Sequence, residues 1–409
     1  MTKEKIREIV LTEIKANNGK LAMRPCWVSR DFMPPGKRLG LNDEEYDAGE
    51  SGAICERWLV SETEVDNRVK IKNEGLSFLD IKGYDIRLID ALEVCGKEIL
   101  GSDYSLNHKR LGRLLKIYDF KTRIFYHMHQ RPEHAKKVGM NSKEESYHFL
   151  DVDLGSHPET YFGVHPYIVD QNLQYDIFLP YLKEWKGDSI LKHSRAYANI
   201  PGEGFHLPPG LLHAPGTALT LELQESSDVM AVMQAELEGL DIGKDLLAHH
   251  VSKEERKKDG DELSVLKQVD WKANSDPWFY ENHHLKPTLI EETVREGVRE
   301  EWVWYNTVKF NGTRITIAPG KTFESKAAGV HGFFLWRGRG LVDGYEMEGQ
   351  KVSLESSRDE LLVTYEKALE GINIENTGSE DMVIFKFFGP DINVDNVPFI
   401  KHYTGPEKK

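Results

Sequence analysis

Three of the chain's sixteen histidines fall within eight positions, in "FYHMHQRPEHA", residues 125–135. His127 and His129 stand at i and i+2. On a β-strand that spacing turns both imidazoles to one side. Two half-polar rings side by side suit a metal ion, whereas a solvated strand edge has no need of them. In "RIFYHMH" the alternation puts Arg123, Phe125, His127 and His129 on one face and Ile124, Tyr126 and Met128 on the other. A metal also needs ligands from separate segments. "PGEGFHLPPGLLHAPG" offers His213 directly after a Pro-Gly turn, where a rigid backbone can fix a ligand. Glu145, in "SKEESYHFLDVD", offers a carboxylate just before an apolar strand. Three imidazoles and one carboxylate suit a borderline divalent ion, with zinc expected first and manganese or iron as alternatives.

A second polar strand face lies in "TLELQE". Thr220, Glu222 and Gln224 share one side, and Leu219, Leu221 and Leu223 form the apolar other. That polar face is either a site wall or a solvated surface; the strand alone does not decide.

These residues need a scaffold of many short strands. The 409 residues carry a net charge of −14, with 39% hydrophobic and 29% charged residues. That acidity argues against nucleic-acid and anionic-membrane partners, which want basic patches. No apolar run reaches membrane-spanning length. The first residues read as an amphipathic helix rather than a signal peptide, with Ile6, Ile9, Val10 and Ile14 on one face and Gly19 as its cap. Cys26, Cys55 and Cys95 are scattered and odd in number, so a reducing, cytoplasmic setting is expected. Aromatic and β-branched segments broken by Gly, Pro, Asn and Asp fill the chain to about residue 235. A helical insertion near 170–186 contains Pro180. A charged, mainly helical connector covers 236–295, and strands resume over 296–409. The expected fold is mainly β, a sandwich or small barrel in each strand-rich block.

Several stretches resemble a known family. The His pair and the Pro-Gly-His turn are similar to those of cupins. More closely, the chain resembles type I phosphomannose isomerases, through "CERWLVSE", "YHMHQRPEHAKK", "SKEESYHFLD", "IPGEGFHLPPGLLHAPGTALTLELQESSD" and "ELSVLKQVDW". The resemblance implies a bicupin: two jelly-roll β-barrels with an intervening helical segment and an N-terminal helix. The catalytic cupin would be 1–235, the connector 236–295, and a degenerate second cupin 296–409. It implies that His129, Glu145 and His213 are metal ligands, with His127 where the family has a glutamine ligand. Lys143 falls on the lysine beside the bound sugar, and Glu222 and Asp228 fall on acidic site residues. The implied activity is metal-dependent aldose–ketose isomerisation of a hexose or hexose 6-phosphate through an enediol. A cupin oxygenase or lyase, and a non-catalytic sugar-binding bicupin, are the alternatives.

Two departures stand out. The family's arginine four residues after the aspartate of "QESSD" is Val232 here, and Glu62 stands where a histidine is usual. A phosphate would then depend on Lys136, Lys137, Lys143 or Lys267, and free sugars are expected to compete with or beat their 6-phosphates. His331 stands alone in the last block and is expected to be structural, with no second metal there. His283 and His284 are expected to point apart, and His249 and His250 to lie on the surface.

Overall fold

A computed structural model describes residues 1–406 of the chain. It opens on the helix Lys3–Ala16, capped by the Thr2 hydroxyl, which accepts the Lys5 N–H. Ile9 and Val10 are buried, and Ile6 and Ile14 pack beside them. The helix stops at Asn17, two residues before the expected Gly19. Gly19 instead sends its N–H back to the Ile14 carbonyl. Its φ is +77°, and a Cβ there would come 2.5 Å from Lys367 Cβ, so only glycine fits.

The rest is mainly β, with antiparallel pairing throughout the strands that follow. A seven-stranded sheet runs, in spatial order, through His284–Leu285, Gly204–Leu207, Glu145–Phe149, Thr220–Glu225, Arg113–Tyr118, Ala53–Leu59 and Cys26–Arg30. A five-stranded sheet runs through Ala231–Val232, His127–Met128, His213–Ala214, Glu159–Phe162 and Arg195–Ala198. The two share an aromatic core that includes Phe125, Tyr147, Phe149, Phe162 and Phe205. A second pair of seven- and five-stranded sheets is built from strands after Thr288, with one exception. Lys20–Ala22, next to the first helix, pairs with Glu360–Val363 at the edge of the second seven-stranded sheet.

Thr220–Glu225 lies in mid-sheet, between Glu145–Phe149 and Arg113–Tyr118. Both of its faces are buried. Leu221 and Leu223 join a core that also holds Ile9, Val10 and Leu362. Glu222 and Gln224 point the other way and are only 3% and 0% exposed. The polar face of "TLELQE" is therefore interior and not a solvated surface.

The insertion forms two helices, Pro166–Asp170 and Gln174–Glu184, and the second runs through Pro180. The connector holds Lys253–Asp259, Asp261–Leu266, Trp271–Asn274 and Phe279–His283. The charged run becomes a solvated helix capped by Ser252. No helix among the described residues is long and apolar enough to cross a membrane. All three cysteines are buried and unbridged.

Where the two sheet pairs meet, Arg57 donates to Asp359 at 2.7 and 2.6 Å and to Glu360 at 3.1 Å. One guanidinium thus faces two buried carboxylates. Burial raises Glu360 to about 7, and Arg57 offsets this only in part. The unfolded chain ionises glutamate near ~4.3. The folded state therefore holds a proton that the unfolded state releases. The stability this confers is complete below about pH 4 and is lost as pH climbs through about 7. Between pH 5 and 8 the native chain is expected to lose about 3 kcal/mol relative to Glu360→Gln. Denaturant melts of both proteins across that range test this, and parallel stability curves would reject it.

Candidate metal centre

His127 and His213 are cross-strand partners in the five-stranded sheet. Their rings lie 4.0 Å apart, and the His129 ring lies 5.0 and 5.1 Å from them. One nitrogen from each ring falls within 4.8 Å of the others. The turn before His213 is tied to the same place: Gly210, at φ +85°, donates its N–H to the His129 carbonyl at 2.8 Å. The strand His127–Met128 is only two residues long, yet it keeps the alternation that puts His127 and His129 together.

Each imidazole is oriented by its other nitrogen. The Nδ1 atoms of His127, His129 and His213 lie 2.8, 2.7 and 2.9 Å from the carbonyls of Phe125, Val229 and Leu211. A carbonyl only accepts, so each Nδ1 carries the proton and each Nε2 presents a lone pair to the common centre. Burial, together with the neighbouring His213 and His129, holds His127 well below the usual histidine value. Burial and Lys143 bring His129 to about 4. The His127 and His129 rings are neutral at ordinary pH, as ligands must be.

Glu145 begins its strand in the facing sheet and points between the rings. Oε2 is 3.0 Å from His129 Nε2, and Oε1 is 3.1 Å from His213 Nε2. The Tyr147 hydroxyl donates to Oε1 at 2.5 Å. Burial opposes the carboxylate's charge, but the Lys143 ammonium beside it holds it well below the usual range. Glu145 Oε2 and His213 Nε2 are buried without a hydrogen bond of their own. Buried polar atoms rarely stay orphaned. Three inward lone pairs and a carboxylate, with orphaned atoms among them, are a donor set that could hold a divalent cation.

Beside this cluster runs a buried chain of alternating charges. Lys143 Nζ is 3.1 Å from both Glu145 Oε2 and His129 Nε2 and 3.2 Å from Glu222 Oε1. Lys116 Nζ is 3.2 Å from Glu222 Oε1 and 3.7 Å from Glu56 Oε2. Arg30 joins Glu56 at 2.8 Å to Asp228 at 3.3 Å. Burial and the nearby Glu145 raise Glu222 to about 7, against the pull of Lys116 and Lys143. Burial opposes the charges of Asp228 and Glu56, but Arg30 and Lys116 outweigh it, taking Glu56 down to about 2. Burial also works against the charge of Lys143, yet Glu145, Glu222 and Asp228 raise it above the usual lysine value.

The fold thus brings together all seven expected site residues: His127, His129, Lys143, Glu145, His213, Glu222 and Asp228. The sequence reading did not place Arg30, Lys116 or Glu56 among them. Lys116 did leave a trace, as a lone charge in the apolar run "LLKIY". Val232 sits opposite His127 in the sheet and is wholly buried. Glu62 accepts the N–H groups of Leu111 and Gly112 at 3.0 and 2.8 Å.

The other histidines lie elsewhere. His331 keeps its Nδ1 3.0 Å from the Gly329 carbonyl and packs on Phe388. His284 pairs with Glu203, while His283 stacks on Phe279. His250 departs from the surface position expected of it: it is 5% exposed, with Nε2 2.9 Å from Asp66 Oδ2 and Nδ1 accepting the Met230 N–H. His249, which is exposed, reaches the same oxygen at 2.9 Å. In this second trio the carboxylate is already shared among His249, His250 and Lys70.

No protein-family model and no curated protein sequence matches the chain. Solved structures do. The mannose 6-phosphate isomerase from Bacillus subtilis aligns over 90% of this chain and 99% of its own, with a TM-score of 0.59 and 16% identity. A variant of the phosphomannose isomerase from Salmonella typhimurium aligns over 90% of this chain and 99% of its own, with a TM-score of 0.59 and 11% identity. A zinc-bound mannose 6-phosphate isomerase aligns over 91% and 100%, with a TM-score of 0.59 and 12% identity. The chain shares their fold over nearly its whole length.

Proposed function

We propose that the chain is a metal-dependent aldose–ketose isomerase acting on a hexose or hexose 6-phosphate of the mannose/fructose type. One observation carries the reading. Three imidazoles held by their Nδ1 atoms, with Glu145, lie beside a buried Lys143–Glu222 pair whose carboxyl exchanges its proton near neutral pH. A Lewis-acid centre next to such a carboxyl is what moving a proton between neighbouring carbons requires.

In this reading each pair of seven- and five-stranded sheets is one cupin barrel. Residues 1–235 form the catalytic domain, 236–295 the connector, which lends one strand to each barrel, and 296–409 a second barrel that also borrows the strand Lys20–Ala22. His127, His129, Glu145 and His213 hold the ion, with zinc expected. When bound, the ion supplies charge that polarises the carbonyl and hydroxyl oxygens of the open-chain sugar. Glu222 takes the proton from C2 of the aldose; that bonding pair forms the C1–C2 double bond as the C1–O1 π pair moves onto O1, which gains a proton to give the enediol. Returning the proton to C1, while O2 loses its own, gives the ketose. Lys143 faces the oxygen on which negative charge develops. Asp228, kept ionised by Arg30, assists ring opening.

The test is a screen of free and phosphorylated aldoses for ketose formation with metal-reconstituted protein. Ketose from a mannose-type substrate is the expected result. No ketose from any aldose, and no exchange of the C2 proton with solvent, would remove the isomerase reading. The three-imidazole, one-carboxylate set also suits an iron or manganese oxygenase. Oxygen consumption by the same preparation separates that alternative.

A further inference from the structure

We infer that this site, taken as the sugar site proposed above, accepts a neutral, unphosphorylated aldose at least as well as a sugar phosphate. A phosphate monoester brings close to two negative charges at neutral pH. It needs N–H donors that are free to turn to it, and bidentate guanidinium groups serve best. The site has none to spare.

Among the described residues Arg30 is the one guanidinium lining the cavity, and its five N–H bonds are all in use. Nε donates to Glu56 Oε1 at 2.8 Å. Nη1 donates to Asn67 Oδ1 at 3.0 Å and Asp228 Oδ2 at 3.3 Å. Nη2 donates to Glu56 Oε2 at 3.3 Å and Asp228 Oδ1 at 3.4 Å. Lys116 lies between Glu56 and Glu222, and Lys143 between Glu145 and Glu222. Three cations therefore face four carboxylates: Glu56, Glu145, Glu222 and Asp228. A divalent ion would offset that balance at C1 and C2, where the reaction needs it. It would not serve a phosphate at the opposite end of the sugar.

The rest of the lining gives no substitute. Phe32, Ile124, Phe125, Pro215 and Met230 line the same cavity and are apolar. Such walls suit the C–H faces of a sugar and oppose a dianion. Val232 is buried under His127. Lys136, Lys137 and Lys267 do not line the cavity. Lys137 is paired with Glu255, and Lys267 with Asp259. The adjoining cavity shares Phe32 and Met230 and holds about 140 Å³. Its cations face carboxylates of their own: Arg68 pairs with Asp31 and Asp245, and Lys70 with Asp66.

The experiment compares mannose with mannose 6-phosphate on metal-loaded protein. Binding is measured by calorimetry and kcat/KM by ketose formation. The expected result is that the free sugar binds and turns over as well as its phosphate, or better. Inorganic phosphate at millimolar concentration is expected to leave both values unchanged. A preference for the phosphate of about a hundredfold, the worth of one strong charge-assisted contact, would overturn the inference. So would failure of the free sugar to bind. Free sugar that binds without forming ketose would leave the inference standing and remove the isomerase reading instead.

Discussion

Replacing His213 with alanine is expected to leave the protein with little or no bound divalent metal and with activity at least about a hundredfold lower. The Nε2 of His213 lies 3.1 Å from Glu145 Oε1 and has no hydrogen bond. The side chain is 1% exposed, so no water reaches in to replace it freely. Three donors would remain, and one of them, His129, is already within 3.1 Å of Lys143. The ammonium group would then compete with the ion for that lone pair. Elemental analysis gives the metal content directly. Melting of the metal-free variant against the metal-free parent separates ligand loss from a folding defect, because the Leu211 carbonyl also loses its partner. A variant that keeps one metal per chain would show that these imidazoles are not the ligands. Glu145→Gln is the second probe, since it keeps the shape and removes the charge.

The site was legible where local rules act. Strand alternation put His127 and His129 on one face, and a Pro-Gly turn fixed His213. What alternation cannot say is which strands become neighbours. Glu222 was visible as part of a polar face, but its burial depends on Lys116 and Tyr147 standing opposite it from two other strands. Arg30 pairs with Glu56 across a sheet edge and reaches Asp228 from nearly two hundred residues away. A lone arginine at the end of "CWVSR" carries no sign of that. Lys20–Ala22 joins a sheet whose partner strand begins at Glu360, a pairing that no local pattern records. His250 read as a surface residue because its run is charged. It is buried because Met230 and Asp66, both from outside that run, supply its partners.

Glu222→Gln is expected to lower kcat by about a hundredfold to ten-thousandfold, with metal content and KM close to those of the parent. The carboxyl is 3% exposed and held between Lys116 and Lys143, each 3.2 Å from Oε1. That position fixes its direction through two buried ion pairs. Raised to about 7 by burial and the nearby Glu145, its proton affinity suits the proposed role of taking and returning a proton. Glutamine keeps the volume and the contacts with both lysines but cannot accept the proton. Lys143 retains Glu145 as its partner, so the neighbouring charges stay in place. The split between kcat and KM is therefore the informative readout. If KM rises while kcat holds, Glu222 orients the sugar and another carboxylate of the chain takes the proton. Exchange of the C2 proton with solvent decides between the two, because only loss of the base abolishes it while the sugar still binds.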